Sequence, residues 1–122
     1  MTVLPSLLVI SATAVLGLAL ALLHGLRRTR LPRLAGPLHG ILGACGLVLL
    51  LIALRGPARG VAYGAGGFGT MAAILLGCAI LAGLLVLRAR LRTRDPMVAI
   101  GIHATLAIFG LVLLAAYASV PA

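Results

Sequence analysis

Two histidines in matching apolar surroundings are the residues whose type and spacing point to chemistry. His39 and His103 lie 64 residues apart, and each is followed by a leucine three residues on and by the run Gly-Leu-Val-Leu-Leu beginning seven residues on. An ionisable side chain within an apolar segment is energetically costly and therefore points to a function. Because imidazole nitrogen ligates metal centres, the pair predicts one shared ligand site.

The histidines belong to a longer internal repeat. Positions 28–50 align on positions 92–114 without a gap, and 12 of these 23 positions are identical. We interpret the chain as a tandem duplication within a single membrane domain, 1–122, in which the first repeat covers about 4–54 and the second about 68–118.

The composition is that of an integral membrane protein. Hydrophobic residues make up 63% of the chain and charged residues 9%, whereas a typical soluble domain has about 25% charged residues. All ten basic residues are arginines and Asp95 is the single acidic residue, so the formal net charge is +9. The arginines cluster at the ends of apolar runs, which indicates topology and contact with anionic lipid headgroups rather than nucleic acid.

Four apolar runs predict an all-α membrane protein, a four-helix transmembrane bundle built from two helical hairpins. Each run is long enough, or nearly so, for a hydrocarbon core of about 30 Å. The predicted spans are 4–26, 32–54, 70–87 and 97–117. Asp95 is expected to cap the fourth helix, with Pro96 in its first position. Pro37 is expected to loosen the start of the second.

Arginines in the connecting segments predict the orientation. The first and third connections hold four arginines each and the middle one holds two. Because positive charge favours the cytoplasmic side, we expect the first and third connections there and both termini outside, as in a bacterial inner membrane. Each repeat crosses twice, so the two copies should be related by a pseudo-twofold axis along the membrane normal.

The depth and neighbours of the histidines favour a flat, histidine-bound cofactor. Each lies seven residues after a helix-starting proline, about 10 Å into the membrane at 1.5 Å per residue. If the two faces meet, the imidazoles suit the two axial positions of one haem iron. Small residues further along are expected to leave room for the macrocycle: Gly43, Gly46, Ala107 and Gly110. Arginines at the nearer interface are expected to pair with haem propionates: Arg28, Arg30, Arg92 and Arg94.

Other interpretations of these residues stay open. Small residues at helical spacing also let membrane helices pack closely without a cofactor, and histidines can form hydrogen bonds between helices. Another tetrapyrrole, a quinone contact or proton handling would also use the pair. His24 aligns with Arg88 at the cytoplasmic interface, where it fits a headgroup contact or a partner of the cofactor. Cys45 and Cys78 fit packing thiols.

Several function classes are excluded. The stretch 64–69 has the spacing Gly-x-Gly-x-x-Gly, but a dinucleotide site needs a preceding strand, so we interpret the outer glycine-rich loop, 55–69, as a flexible connector. No membrane-embedded carboxylate is present for proton-coupled transport. The chain also lacks a nucleophile–base–acid set and zinc-ligand spacing, so we do not expect it to be an enzyme by itself.

In its two short hairpins with His39 and His103 on equivalent helices, the chain resembles the membrane b-type cytochromes. The resemblance implies haem b held between helices by paired histidines, with electrons passing between quinol, donor proteins and other redox centres. Two-haem members need four ligands, and His24 lacks a partner, so one haem is expected. We expect an electron-transfer subunit beside a larger membrane redox complex or in a homo-oligomer. The alternative is a cofactor-free accessory or assembly subunit.

Overall fold

The chain folds into four long helices. The computed structural model describes residues 2–27, 34–92 and 94–121, without the side chains of 24–27. The helices are α1 (Leu4–Arg27), α2 (Ala35–Ala53), α3 (Phe68–Leu91) and α4 (Met97–Ser119). Each is long and apolar enough to cross a membrane, and the described residues contain no strand. The predicted all-α, four-span architecture is confirmed.

The α3 helix begins at Phe68, two residues before the predicted start at 70, and the predicted start of α2 at Pro32 lies outside the described residues. Within the described residues α2 begins at Ala35, so Pro37 stands in its first turn, where an N–H would have no partner within the helix. The helix is continuous at Pro37, so the expected loosening of its start is not observed. At α4, Pro96 takes the N-cap position, and the Asp95 carboxylate still accepts the Met97 N–H at 3.0 Å.

The helices form a square in which each contacts two neighbours. α1 packs mainly against α2 and α3 mainly against α4, while α2 contacts α3 and α1 contacts α4 more lightly. Consequently α2 and α4 face each other along one diagonal of the bundle, and α1 and α3 along the other. We call the end where α1 and α3 finish the arginine end, and the end near residues 2 and 121 the terminal end.

Side-chain packing is tightest toward the terminal end. The buried apolar cluster includes Ile10, Leu50, Leu76, Leu114 and Tyr117, and Leu50 and Leu114 are fully buried. Large apolar side chains elsewhere point outwards; Leu8, Val15, Leu81 and Val112 are all more than half exposed. The α3 helix also buries four alanines, Ala72, Ala73, Ala79 and Ala82. Small residues at helix contacts, with large apolar side chains facing outwards, are the pattern expected where lipid is the solvent.

The connection between α2 and α3 is a folded loop. It contains a short 3₁₀ helix, Val61–Tyr63, whose ends are Gly60 (φ 65°) and Gly64 (φ 71°), both in the left-handed conformation that glycine adopts readily. Gly60 N–H donates to Pro121 O at 3.0 Å, which ties the loop to the end of the chain. The prediction of a flexible connector misses this hydrogen bonding.

Candidate functional site

The site is built around the two imidazoles, which meet across the α2–α4 diagonal. The ring centroids of His39 and His103 are 5.8 Å apart, and the ring planes are at 74° to each other. Both side chains are half-buried. The structure thus brings together the two residues that the internal repeat singles out, in the half of the bundle nearer the arginine end.

Each imidazole is held by the helix that precedes it in its hairpin. His39 Nδ1 lies 3.1 Å from Thr13 O of α1, and His103 Nδ1 lies 2.7 Å from Ala79 O of α3. A carbonyl oxygen only accepts hydrogen bonds, so Nδ1 carries the hydrogen in both rings. In the neutral imidazole this leaves the Nε2 lone pair available for a metal or a hydrogen-bond donor.

Two glycines allow the rings to reach these carbonyls. A β-carbon at Gly17 would lie 2.7 Å from His39 Cε1, and one at Gly83 would lie 3.3 Å from His103 Cε1. Each glycine stands four residues after the accepting carbonyl, one helical turn along and on the same face. A larger side chain there would occupy the space of the imidazole.

Thr13, Gly17, Ala79 and Gly83 do not pair in a gap-free alignment of the two repeats. Gly17 and Gly83 are 66 residues apart, as are Thr13 and Ala79, whereas the histidines are 64 apart. The interval from Arg27 to Ala35 is two residues longer than that from Leu91 to Met97. A two-residue gap in the arginine-rich connection would have aligned the glycines.

The small residues expected to flank a macrocycle lie largely within the hairpins. A β-carbon at Gly46 would lie 2.5 Å from Ile10 Cγ1, and one at Gly110 would lie 2.8 Å from Leu76 Cγ. At Gly43 the nearest atom is the Thr13 methyl carbon, at 3.5 Å. These positions therefore bring α2 close to α1 and α4 close to α3. Ala107 is half-buried.

The arginines predicted to pair with propionates lie at or beyond the ends of the described helices. Arg92 follows α3 directly and Arg94 precedes α4, and both side chains are exposed. Arg28 and Arg30 lie outside the described residues. His24 is in the last two turns of α1, but its side chain is also outside the described part.

The separation of the two ring centroids is similar to the span of two imidazoles that share one metal. Two imidazole–metal bonds are about 2 Å each, and each ligating nitrogen lies roughly 1 Å from the centroid of its ring. These lengths add up to about 6 Å. The observed separation of the centroids is 5.8 Å. The described residues contain no cluster of three or more His, Cys, Asp or Glu side chains that could hold a metal ion.

Comparison with known proteins gives no match among family models, curated proteins or solved structures.

Proposed function

We propose that this integral membrane protein is an electron-transfer subunit that holds one b-type haem between α2 and α4, with His39 and His103 as the axial ligands. The observation that carries the proposal is the geometry of the pair. The centroids of the two rings lie 5.8 Å apart on the diagonally opposed helices α2 and α4. In each ring Nδ1–H donates a hydrogen bond to a backbone carbonyl. Metal-ligating histidines almost always have such a partner on the other ring nitrogen.

The residues around the pair support this role. Hydrogen bonds to Thr13 O and Ala79 O fix the orientation of both rings and raise the basicity of Nε2. Haem, when bound, supplies a one-electron iron couple whose potential depends on axial ligands, burial and hydrogen bonding. We assign the propionate contacts to Arg92 and Arg94, with Arg28 and Arg30 as their counterparts in the first repeat.

The partners of the protein and its orientation in the membrane are part of the proposal. The described connections between helices are short, so substrate chemistry would have to be supplied by a partner, either a larger membrane redox complex or further copies of this chain. By the positive-inside rule we place the arginine end in the cytoplasm of a bacterial inner-membrane protein, against anionic lipid, and both termini outside.

A second candidate is a cofactor-free accessory or assembly subunit. Each imidazole already has an interhelical hydrogen bond, and the rings contact each other. This arrangement joins all four helices at one level without any ligand. In that case the histidines are structural, and Nε2 contacts lipid, quinone or the other ring.

A visible spectrum separates the two candidates. The protein is expressed with ample haem supply, purified in mild detergent, and measured as a reduced-minus-oxidised difference. We expect the bands of a low-spin haem in the wild type and their loss in both His39→Ala and His103→Ala. A colourless wild type contradicts the haem proposal, and bands typical of another tetrapyrrole would show that a different cofactor is bound.

Two controls keep the experiment informative. His24→Ala removes the third histidine and is expected to keep the low-spin spectrum, which identifies the pair rather than histidine content as the cause. Size-exclusion chromatography reports whether each variant remains a folded, monodisperse protein. If both histidine variants are folded and keep the low-spin bands, the ligands lie elsewhere.

A further inference from the structure

A half-buried arginine at the terminal end takes no part in the histidine site. Arg59 Nη2 donates to Val120 O at 2.8 Å and to Ala118 O at 3.4 Å. These carbonyls lie at and just beyond the end of α4, where the helix dipole favours a cation. Arg59 Nε, however, is buried and has no hydrogen-bond partner, which is costly for a charged group.

A cavity lies beside this arginine. It has a volume of about 280 Å³ and is lined by Arg59 and Tyr117, together with Val3, Ala53 and Pro57. A water molecule in the liquid takes about 30 Å³, so the cavity has room for a headgroup of several heavy atoms. The Tyr117 hydroxyl accepts the Arg59 backbone N–H at 3.2 Å, which leaves its own O–H hydrogen free to donate.

The chain offers Arg59 no acidic side chain. Asp95 is the single acidic residue, and its carboxylate caps the start of α4, the opposite end of the helix from Arg59. A half-buried guanidinium with an unused N–H, beside a hydroxyl donor and a cavity, matches the chemistry of a phosphate oxygen.

We propose that this cavity binds a phosphate group, carried by a phospholipid or free in solution, with Arg59 and Tyr117 as its hydrogen-bond donors. The apolar residues of the lining suit the acyl chains of a phospholipid, which the glycerol group joins to the phosphate. The site is separate from the histidine pair, which lies in the other half of the bundle, and its occupancy does not depend on haem.

The test measures lipid binding by native mass spectrometry in detergent. Phosphatidylglycerol is the probe, diacylglycerol is the phosphate-free control, and inorganic phosphate is the competitor. We expect phosphatidylglycerol to bind and diacylglycerol not to. Displacement by phosphate identifies the phosphate group itself as the ligand, whereas resistance to displacement identifies the phospholipid.

The variants assign the site. Arg59→Gln is expected to weaken phosphatidylglycerol binding roughly tenfold, the loss of one charged hydrogen bond. Arg55→Gln removes the same charge from an exposed position in the same loop and should change binding less than about twofold. Tyr117→Phe keeps the ring but removes the hydroxyl, and it is expected to weaken phosphatidylglycerol binding about threefold. If Arg59→Gln does not fold, Tyr117→Phe tests the site in its place.

Three results would overturn the proposal. Equal binding to wild type and folded Arg59→Gln removes the arginine from the site. If Arg55→Gln and Arg59→Gln lose the same amount of phosphatidylglycerol binding, the binding reflects general charge attraction and not a site at Arg59. Equal binding of diacylglycerol and phosphatidylglycerol shows that the phosphate is not recognised.

Discussion

The imidazole of His39 lies against the backbone of Gly17, where a β-carbon would come within 2.7 Å of the ring Cε1. The same contact recurs in the second hairpin between His103 and Gly83, at 3.3 Å. In each hairpin a glycine of one helix makes the space that the histidine of the other helix fills. The position of the histidines therefore depends on residues that have no functional group of their own.

Gly17→Ala is expected to displace the His39 ring and destabilise the protein. Overpacking a tight contact costs about 1–3 kcal/mol, which exceeds the gain of about 0.5–1 kcal/mol from replacing a helical glycine by alanine. The melting temperature in detergent should fall, and any haem spectrum should weaken. Gly83→Ala is expected to act in the same direction but less strongly, because its β-carbon has more room.

Gly40→Ala is the matched control for Gly17→Ala. It also lies within a helix, one residue from His39, but a β-carbon there would meet nothing within 4 Å. We expect unchanged or slightly higher stability by about 0.5–1 kcal/mol. A melting temperature that falls as far in Gly40→Ala as in Gly17→Ala would contradict the role assigned to the Gly17 contact.

Gly46→Ala is expected to destabilise the first hairpin by a clash with one identified side chain. The new β-carbon would lie 2.5 Å from Ile10 Cγ1, and relief of this contact requires α1 and α2 to move apart. The expected loss is about 1–3 kcal/mol. It is measured by thermal unfolding in detergent.

A double-mutant cycle identifies the cause of that loss. Ile10→Ala removes the side chain that Gly46→Ala would meet, so the double variant should be more stable than the sum of the two single changes predicts, by about 0.5–3 kcal/mol. Gly110→Ala with Leu76→Ala repeats the cycle in the second hairpin, where the contact would be 2.8 Å. Strict additivity in both cycles would show that the glycines are not required for close packing.

The sequence predicts the helices and the histidine pair better than the packing around them. Long apolar runs, terminal arginines and Asp95 are local signals, and they locate four helices to within a few residues. Duplication places His39 and His103 at equal depth, and the structure brings their rings together. Gly17 and Gly83 escape prediction because the two repeats differ by two residues between their helices. Local patterns also do not show which neighbouring helix a glycine will face.

The loop between α2 and α3 shows the same limit. Its glycine-rich sequence predicts flexibility, because glycine has few conformational restrictions. Its order comes from distant partners, since Arg59 and Gly60 bond to residues 118, 120 and 121 after the whole of α3 and α4 has intervened. No pattern within residues 55–69 contains that information.

Gly60→Ala is expected to loosen this loop more than Gly64→Ala. Both glycines have positive φ, 65° and 71°, so alanine at either position incurs a backbone cost of about 1–2 kcal/mol. At Gly60 the β-carbon would also lie 2.5 Å from Val120 Cγ2, whereas at Gly64 it would meet nothing within 4 Å. The difference in melting temperature between the two variants isolates the contact with the end of the chain. Equal melting temperatures would show that the Val120 contact contributes nothing.

Cysteine labelling tests the proposed orientation. In a background with Cys45→Ala and Cys78→Ala, single cysteines replace Arg55 at the terminal end and Arg90 at the arginine end, since both arginines are exposed. A membrane-impermeant maleimide should label the Arg55→Cys protein in intact cells, and the Arg90→Cys protein only after permeabilisation, because arginine-rich segments remain in the cytoplasm. Arg59 is unsuitable as a labelling position because its guanidinium bonds to the end of α4. Labelling of Arg90→Cys but not Arg55→Cys in intact cells would reverse the orientation. The phosphate site at Arg59 would then face the cytoplasmic leaflet.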